Sequence, residues 1–138
     1  MMAYKFVFLQ ITLIICISCG RSPENEVKSS TINFARAFYS LNFQEAKKYC
    51  ISGTSPEFDY YVSNITQESI DALKKAGEVQ VEILDININN ESLSARVKCR
   101  VTNCLKINPI EGASIVEKQS EKIYNLKKSG KDWLIDLH

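Results

Sequence analysis

Histidine, the side chain that most readily moves protons at neutral pH, occurs once in this sequence, as its last residue, His138. A general base must be held within about 3 Å of its proton, and a frayed terminus holds nothing so closely. His138 therefore reads as an exposed chain end. With a single histidine there is no Ser/His/Asp or Cys/His set, and no spacing of ligand types fits a zinc site. No Gly-rich phosphate loop occurs. No catalytic residue, metal or cofactor is expected on these grounds. The cysteines offer more. Cys99 and Cys104 lie in one stretch that reads as a strand, and their opposite parity would point them to opposite faces. A direct disulfide would need a bend or bulge near Thr102 and Asn103. Cys50 could instead meet one of them, and one thiol of the three would stay unpaired in a monomer. The plainer reading makes Cys99 a small core residue. No visible activator would make any of them a catalytic thiol. Arg96, Lys98 and Arg100 form a basic row on one face of the same stretch. The row could receive an anionic ligand or a lipid headgroup, but pairing with Glu78 and Glu82, or with Glu117 and Glu121, is the simpler use.

The amino terminus supplies a compartment. Residues 1–5 carry one charge, Lys5, ahead of an apolar run over residues 6–17 that is broken only by Gln10 and Thr12. A spanning helix needs roughly 20 apolar residues, whereas the core of an export signal needs about 7–15. The run therefore reads as a signal. It ends in Cys16-Ile17-Ser18-Cys19-Gly20, which resembles a lipobox, where small residues precede an acylated cysteine. Ser18 is suitably small and Ile17 is tolerated, while Cys16 stands where leucine is usual. Ile15 is too bulky to precede a cleavage at Cys16, so Cys19 is the expected lipidation site. Residues 1–18 are then a lipoprotein signal peptide and 19–26 a lipidated polar tether. Resemblance to the lipoprotein class implies diacylglycerol on the thiol and a further acyl chain on the new amino group. At about 0.8 kcal/mol per buried methylene, several chains hold firmly where one does not. Gly20 is not the aspartate that retains such proteins in the inner membrane, so the outer membrane of a cell envelope is the expected address. That compartment is oxidising and permits disulfides among Cys50, Cys99 and Cys104. Removal of residues 1–18 takes away Lys5 and leaves the chain formally neutral. Nucleic acid, whose capture depends on excess positive charge, is therefore not an expected partner.

The remaining length suits one globular domain, residues 27–138. Phe34, Phe38 and Leu41 recur at i, i+4 and i+7, with Ala35 widening the stripe, so a first helix is predicted over residues 26–41. Asn42 and Glu45 offer a capping box for a short second helix reaching Tyr49. Residues 52–63, with Pro56 and the aromatics Phe58, Tyr60 and Tyr61, read as a loop. Thr66 caps a third helix. Ile65 and Ile70 form a staple there, Ile70, Leu73 and Ala76 form its buried side, and Gly77 ends it. Strands follow. Val79, Val81 and Ile83 alternate with polar residues, and the phase then slips to Leu84, Ile86 and Ile88. Such a slip turns the core face outward unless a bulge near Ile83 and Leu84 absorbs it. Asn89-Asn90 can supply positive φ angles for a tight turn. A second strand runs through Leu93, Ala95, Val97, Cys99 and Val101. Residues 108–114 read as a loop and 116–126 as a third strand. Ser129-Gly130 turns into a last strand with Trp133, Ile135 and Leu137 inward. Helices followed by a four-strand meander make an α+β chain, N-terminal helices packed on a curved antiparallel sheet in a cone-like arrangement.

Two stretches carry a resemblance to a known fold. Residues 34–49, Phe-Ala-Arg-Ala-Phe-Tyr-Ser-Leu-Asn-Phe-Gln-Glu-Ala-Lys-Lys-Tyr, resemble the opening of the nuclear-transport-factor-two-like, cystatin-related fold, especially in bacterial lipoproteins of unknown function. Residues 124–137, Tyr-Asn-Leu-Lys-Lys-Ser-Gly-Lys-Asp-Trp-Leu-Ile-Asp-Leu, are similar to its last hairpin, where a tryptophan follows a Gly-Lys turn. The resemblance spans about residues 27–137 and implies a cone that Phe34, Phe38, Tyr60, Tyr61 and Trp133 would line. It implies no chemistry, because the fold hosts enzymes and inert modules alike. The expected function is a non-enzymatic, membrane-tethered module that binds a small apolar ligand in the cone or a protein partner through the sheet, where homodimers form in resembling folds. Two alternatives stand beside it. One is a small envelope isomerase or hydrolase using Asp59 and the tyrosines, as acidic and phenolic groups work together in enzymes of this fold. The other is an inhibitor or assembly accessory protein, which a wide exposed apolar patch would favour.

Overall fold

The computed structural model describes residues 22–52, 55–107 and 114–137. Cys19, with the signal and most of the tether, lies outside those residues, and so does His138. Four helices precede four strands: α1 (Pro23–Tyr39), α2 (Phe43–Lys47), α3 (Pro56–Ser63), α4 (Gln67–Ala76), then β1 (Gln80–Asn89), β2 (Ser94–Ile107), β3 (Ser114–Ser129) and β4 (Asp132–Asp136). The strands form one antiparallel meander in the order β1-β2-β3-β4, and α1 packs across β1, β2 and β4.

α1 begins three residues before its predicted start. The Ser22 hydroxyl accepts from the Asn25 amide, Pro23 takes the first turn, and Glu24 and Glu26 sit where the helix dipole favours acid. Its last turn closes with the Leu41 amide on the Phe38 carbonyl and the Asn42 amide on Ala37. Leu41 occupies the left-handed position, φ 65°, of this Schellman-type cap, where glycine is usual. The Asn42 side chain caps α2 by accepting from the Glu45 amide, but Glu45 turns away to Lys48 and Tyr49, so the box is only half made.

The predicted loop over residues 52–63 is corrected: most of it is α3. Ser55 is its N-cap, accepting from the Phe58 amide at 3.1 Å, and Pro56 is the first helical residue. Proline there removes an amide that would be unpaired anyway. Between α2 and α3, the chain lays Tyr49 and Ile51 along β4: the Ile135 amide donates to Tyr49 at 2.7 Å and its carbonyl accepts from Ile51 at 2.9 Å. This contact covers a sheet edge that would otherwise expose unpaired backbone groups. Thr66 caps α4 as predicted, in a reciprocal box with Ser69. Ser69, fully buried, reaches Ser114 on β3 at 2.7 Å. Ile70 and Leu73 are half-buried, and Ala76, predicted inward, is exposed; α4 meets the sheet chiefly at β2 and β3.

The β1–β2 register shifts between Ile83 and Asp85, so the bulge falls where the apolar phase slips, and both halves of β1 keep their apolar residues inward. The positive φ of the following turn falls on Leu93 (50°), not on Asn89-Asn90. Asn89 instead accepts from the Glu91 and Ser92 amides, making a side-chain-built turn. β3 exceeds its predicted span at both ends. Gly130, φ 62°, opens the final two-residue turn. The core is continuous from Val27, Phe34 and Phe38 on α1 to Val97, Cys99 and Val101 on β2 and Leu126 and Ile135 beyond.

Candidate functional site

The helical period of α1 puts Val27, Thr31, Phe34 and Phe38 on one buried stripe. Thr31 satisfies its hydroxyl locally by donating to the Val27 carbonyl at 2.8 Å. On α3 the same period sends Phe58, Tyr61 and Val62 toward α1 and leaves Asp59 and Tyr60 exposed. Phe38 is the hub of the resulting cluster, with ring centroids 5.5 Å from Phe34, 5.2 Å from Phe58 and 4.7 Å from Tyr61. Tyr124 on β3, paired across from Val97, meets Phe34 edge-on at 5.4 Å. Tyr39 meets Tyr61 edge-on at 6.1 Å. These separations suit aromatic pairs.

The rings leave a cavity of about 200 Å³ bounded by Phe34, Phe38, Phe58, Tyr39, Tyr61 and Tyr124. Beyond the wall made by Tyr39 and Tyr61 lies a second, more open cleft of about 520 Å³. Tyr60, Leu105, Ile107 and Lys122 complete that cleft. Tyr61 holds the wall in place by donating to the Leu105 carbonyl at 3.1 Å.

Burial dominates the electrostatics. Desolvation raises the phenol pKa values of Tyr39, Tyr61 and Tyr124 well above the ordinary tyrosine range. All three remain protonated at neutral pH and serve as hydrogen-bonding groups rather than bases. The Tyr124 hydroxyl lies near enough to Tyr39 for each to perturb the other's ionisation, yet no well-formed hydrogen bond reaches it, and it is buried. Leaving such a group unmatched costs about 1–3 kcal/mol. Desolvation also pushes the Cys50 and Cys99 thiols up to about 11 and raises Cys104. The nearby Lys122 ammonium works against this at Cys99 and Cys104 but does not prevail. Protonated thiols are poor nucleophiles. Among the described residues no group of His, Cys, Asp and Glu is placed to hold a metal ion.

Phe34, Phe38 and Tyr61 meet at the first cavity, and Tyr60 and Tyr61 border the second. Trp133 stands apart from both. It is buried against α1 beside Ser29, Asn33 and Tyr49, and its indole N–H finds no acceptor. Cys50, Cys99 and Cys104 are all free thiols. The backbone does bend between the latter two, at Asn103 (φ 59°), whose side chain donates to the Glu78 carbonyl at 2.9 Å. Cys50 sits by Ile135. In the basic row, Lys98 pairs with Glu121 at 3.2 Å and Arg100 with Glu82 at 3.1 Å, while Glu117 pairs with Lys106 at 3.3 Å. Sequence reasoning missed Tyr39, Tyr124 and Lys122. For the last two the inward face follows from the register of β3, which pairs them with Val97 and Cys99 on β2.

No protein-family model and no curated protein matches this sequence. Among solved structures, it is similar to a Campylobacter jejuni protein provisionally named an NTF2-like transpeptidase. The two are 23% identical, the match covers 80% of this chain and 97% of that one, and the TM-score is 0.51. That likeness, with N-terminal helices on a four-stranded antiparallel sheet, shows that this chain has the nuclear-transport-factor-two-like (NTF2-like) fold.

Proposed function

We propose that this protein is a non-enzymatic binding module of the bacterial cell envelope, tethered by lipid on Cys19, whose cone takes a small, mainly apolar ligand. The observation that carries the binding reading is the Tyr124 hydroxyl, buried without a well-formed hydrogen bond in the wall of an aromatic cavity. A ligand with one hydrogen-bonding group among apolar atoms would satisfy that hydroxyl and fill the space around it. Support for binding over catalysis comes from the protonated thiols and phenols, and from Asp59, which is exposed on α3. The neighbour's provisional name as a transpeptidase belongs to that protein. Here an acyl-transfer step that used a cysteine would start from a thiol whose pKa is raised. The accessory-protein reading draws less support, since the exposed large apolar side chains Tyr60, Leu93, Ile115 and Ile123 are spread over α3, the β1–β2 turn and β3. Support for the tether and for an outer-membrane address comes from the apolar run ending in Ser18-Cys19-Gly20.

2-Naphthol, an aromatic body with one hydroxyl, tests the cone. It should shift the NMR signals of Phe34, Phe38 and Tyr124 on titration. Leu137 also lines the cavity; Leu137→Trp, which narrows it, should abolish the shifts, and Tyr124→Phe should weaken binding about three- to tenfold. Equal binding to Leu137→Trp would move the site elsewhere and remove the case for the cone.

A further inference from the structure

The inner face of β3 carries an ammonium. Lys122 is paired across from the fully buried Cys99, two residues from Tyr124 and four from the fully buried Leu126 on the same face. It is half-buried, and its Nζ lies 5.6 Å above the Tyr39 ring. Lysine is costly on a core face unless its charge is matched. Glu117, on the same strand, is engaged with Lys106 at 3.3 Å. Among the described residues Lys122 makes no ion pair, and its ammonium is met by the face of one phenol ring. The charge borders the 520 Å³ cleft, whose other walls are Tyr39, Tyr60, Tyr61, Leu105 and Ile107. With Lys106 and Glu117 cancelling one another, Lys122 is a positive charge without an ion pair among the described residues, and it faces an apolar and aromatic surface.

We infer that the cleft beside Lys122 binds small amphiphilic monoanions, an organic carboxylate whose head meets Lys122 and whose apolar body lies on Tyr60, Tyr61, Leu105 and Ile107. This site lies across the wall of Tyr39 and Tyr61 from the aromatic cavity, so the inference goes beyond the cone-binding reading. Charge-assisted hydrogen bonds are roughly twice as strong as neutral ones, and the low surrounding polarity strengthens them further. The head therefore contributes selectivity, and the rings and alkyl groups supply the contact area. A soluble aromatic acid and a fatty acid released from the membrane share this chemistry.

The test uses matched pairs that differ only in charge: 2-naphthoate with 2-naphthamide, and decanoate with decanamide. Each is titrated into the full chain in phosphatidylcholine nanodiscs, with empty nanodiscs as the partition reference. Binding is read from the amide shifts of Tyr39, Tyr61 and Lys122. Each carboxylate should bind about tenfold more tightly than its amide. Lys122→Met, which keeps the apolar stem, should remove that preference while leaving the amides within about twofold. Lys122→Arg should retain the preference. The naphthyl and decyl arms distinguish a soluble aromatic source from a lipid one by which binds more tightly. Equal affinity of acid and amide in the unmodified protein, or a preference that survives in Lys122→Met, overturns the inference but leaves the cone-binding reading standing. Failure of all four probes to shift these signals overturns the inference, while the cone-binding reading is decided by 2-naphthol at Phe34, Phe38 and Tyr124.

Discussion

Tyr124 and the cysteines show how burial sets the properties of single residues. The Tyr124 hydroxyl is desolvated without a matching partner, so its removal takes away a penalty rather than a bond. Tyr124→Phe should leave the ligand-free protein as stable as before or up to about 1 kcal/mol more stable in urea unfolding. A loss above that would mean the hydroxyl has a bond in solution. The same burial gives stability an alkaline limit. The Cys50 and Cys99 thiols titrate near 11 in the folded chain against an ordinary value of 9.0. Between those values the unfolded chain releases protons that the folded chain retains. The stability is therefore fully present below about pH 9 and falls as pH rises toward about 11. Denaturation across pH 8–11 should show that decline, and Cys99→Ala should make it shallower. An unchanged slope would place the titration elsewhere.

At the scale of elements, two short features determine whether the site is assembled. α3 exists because Ser55 and Pro56 start it, and it alone supplies Phe58 and Tyr61 to the aromatic wall. Ser55→Ala should cost about 1 kcal/mol, with the Tyr61 and Phe58 signals broadening before those of the sheet. Uniform stability loss without local broadening would show that α3 does not open separately. In the β1–β2 turn, Leu93 holds a left-handed φ of 50° and is half exposed. An L side chain other than asparagine or aspartate is strained there by roughly 1–2 kcal/mol. Leu93→Asn should therefore raise the unfolding midpoint, and Leu93→Val should lower it. Caps, the bulge near Leu84 and the Gly130 turn were all legible because each depends on neighbours within a few residues. α3 was not, because proline and serine mark a loop and a helix start equally well, and only the inward burial of Phe58 selects the helix.

At the scale of the whole molecule, the proposed anchor can be separated from the fold. Expression of the full chain and of Cys19→Ala in a Gram-negative host, with labelled palmitate and envelope fractionation, should give label and membrane partition only with Cys19. Equal labelling of the two would shift the site to Cys16 or remove the anchor. The amino acid sequence by itself determined the order of most elements and the α+β class, which periodicity and turn chemistry encode locally. The NTF2-like fold was implied by the resemblance of residues 34–49 and 124–137, and the export-like amino terminus stands as an expectation. Tertiary structure alone decided which polar residues turn inward. On β3 the residues Ser120, Lys122 and Tyr124 carry no apolar alternation to show their face. Their orientation follows from pairing with Val101, Cys99 and Val97, since cross-strand register, not residue type, fixes the side of the sheet. Their burial then follows from the helices laid over that face, and with it the raised phenol pKa values and the lysine at the cleft.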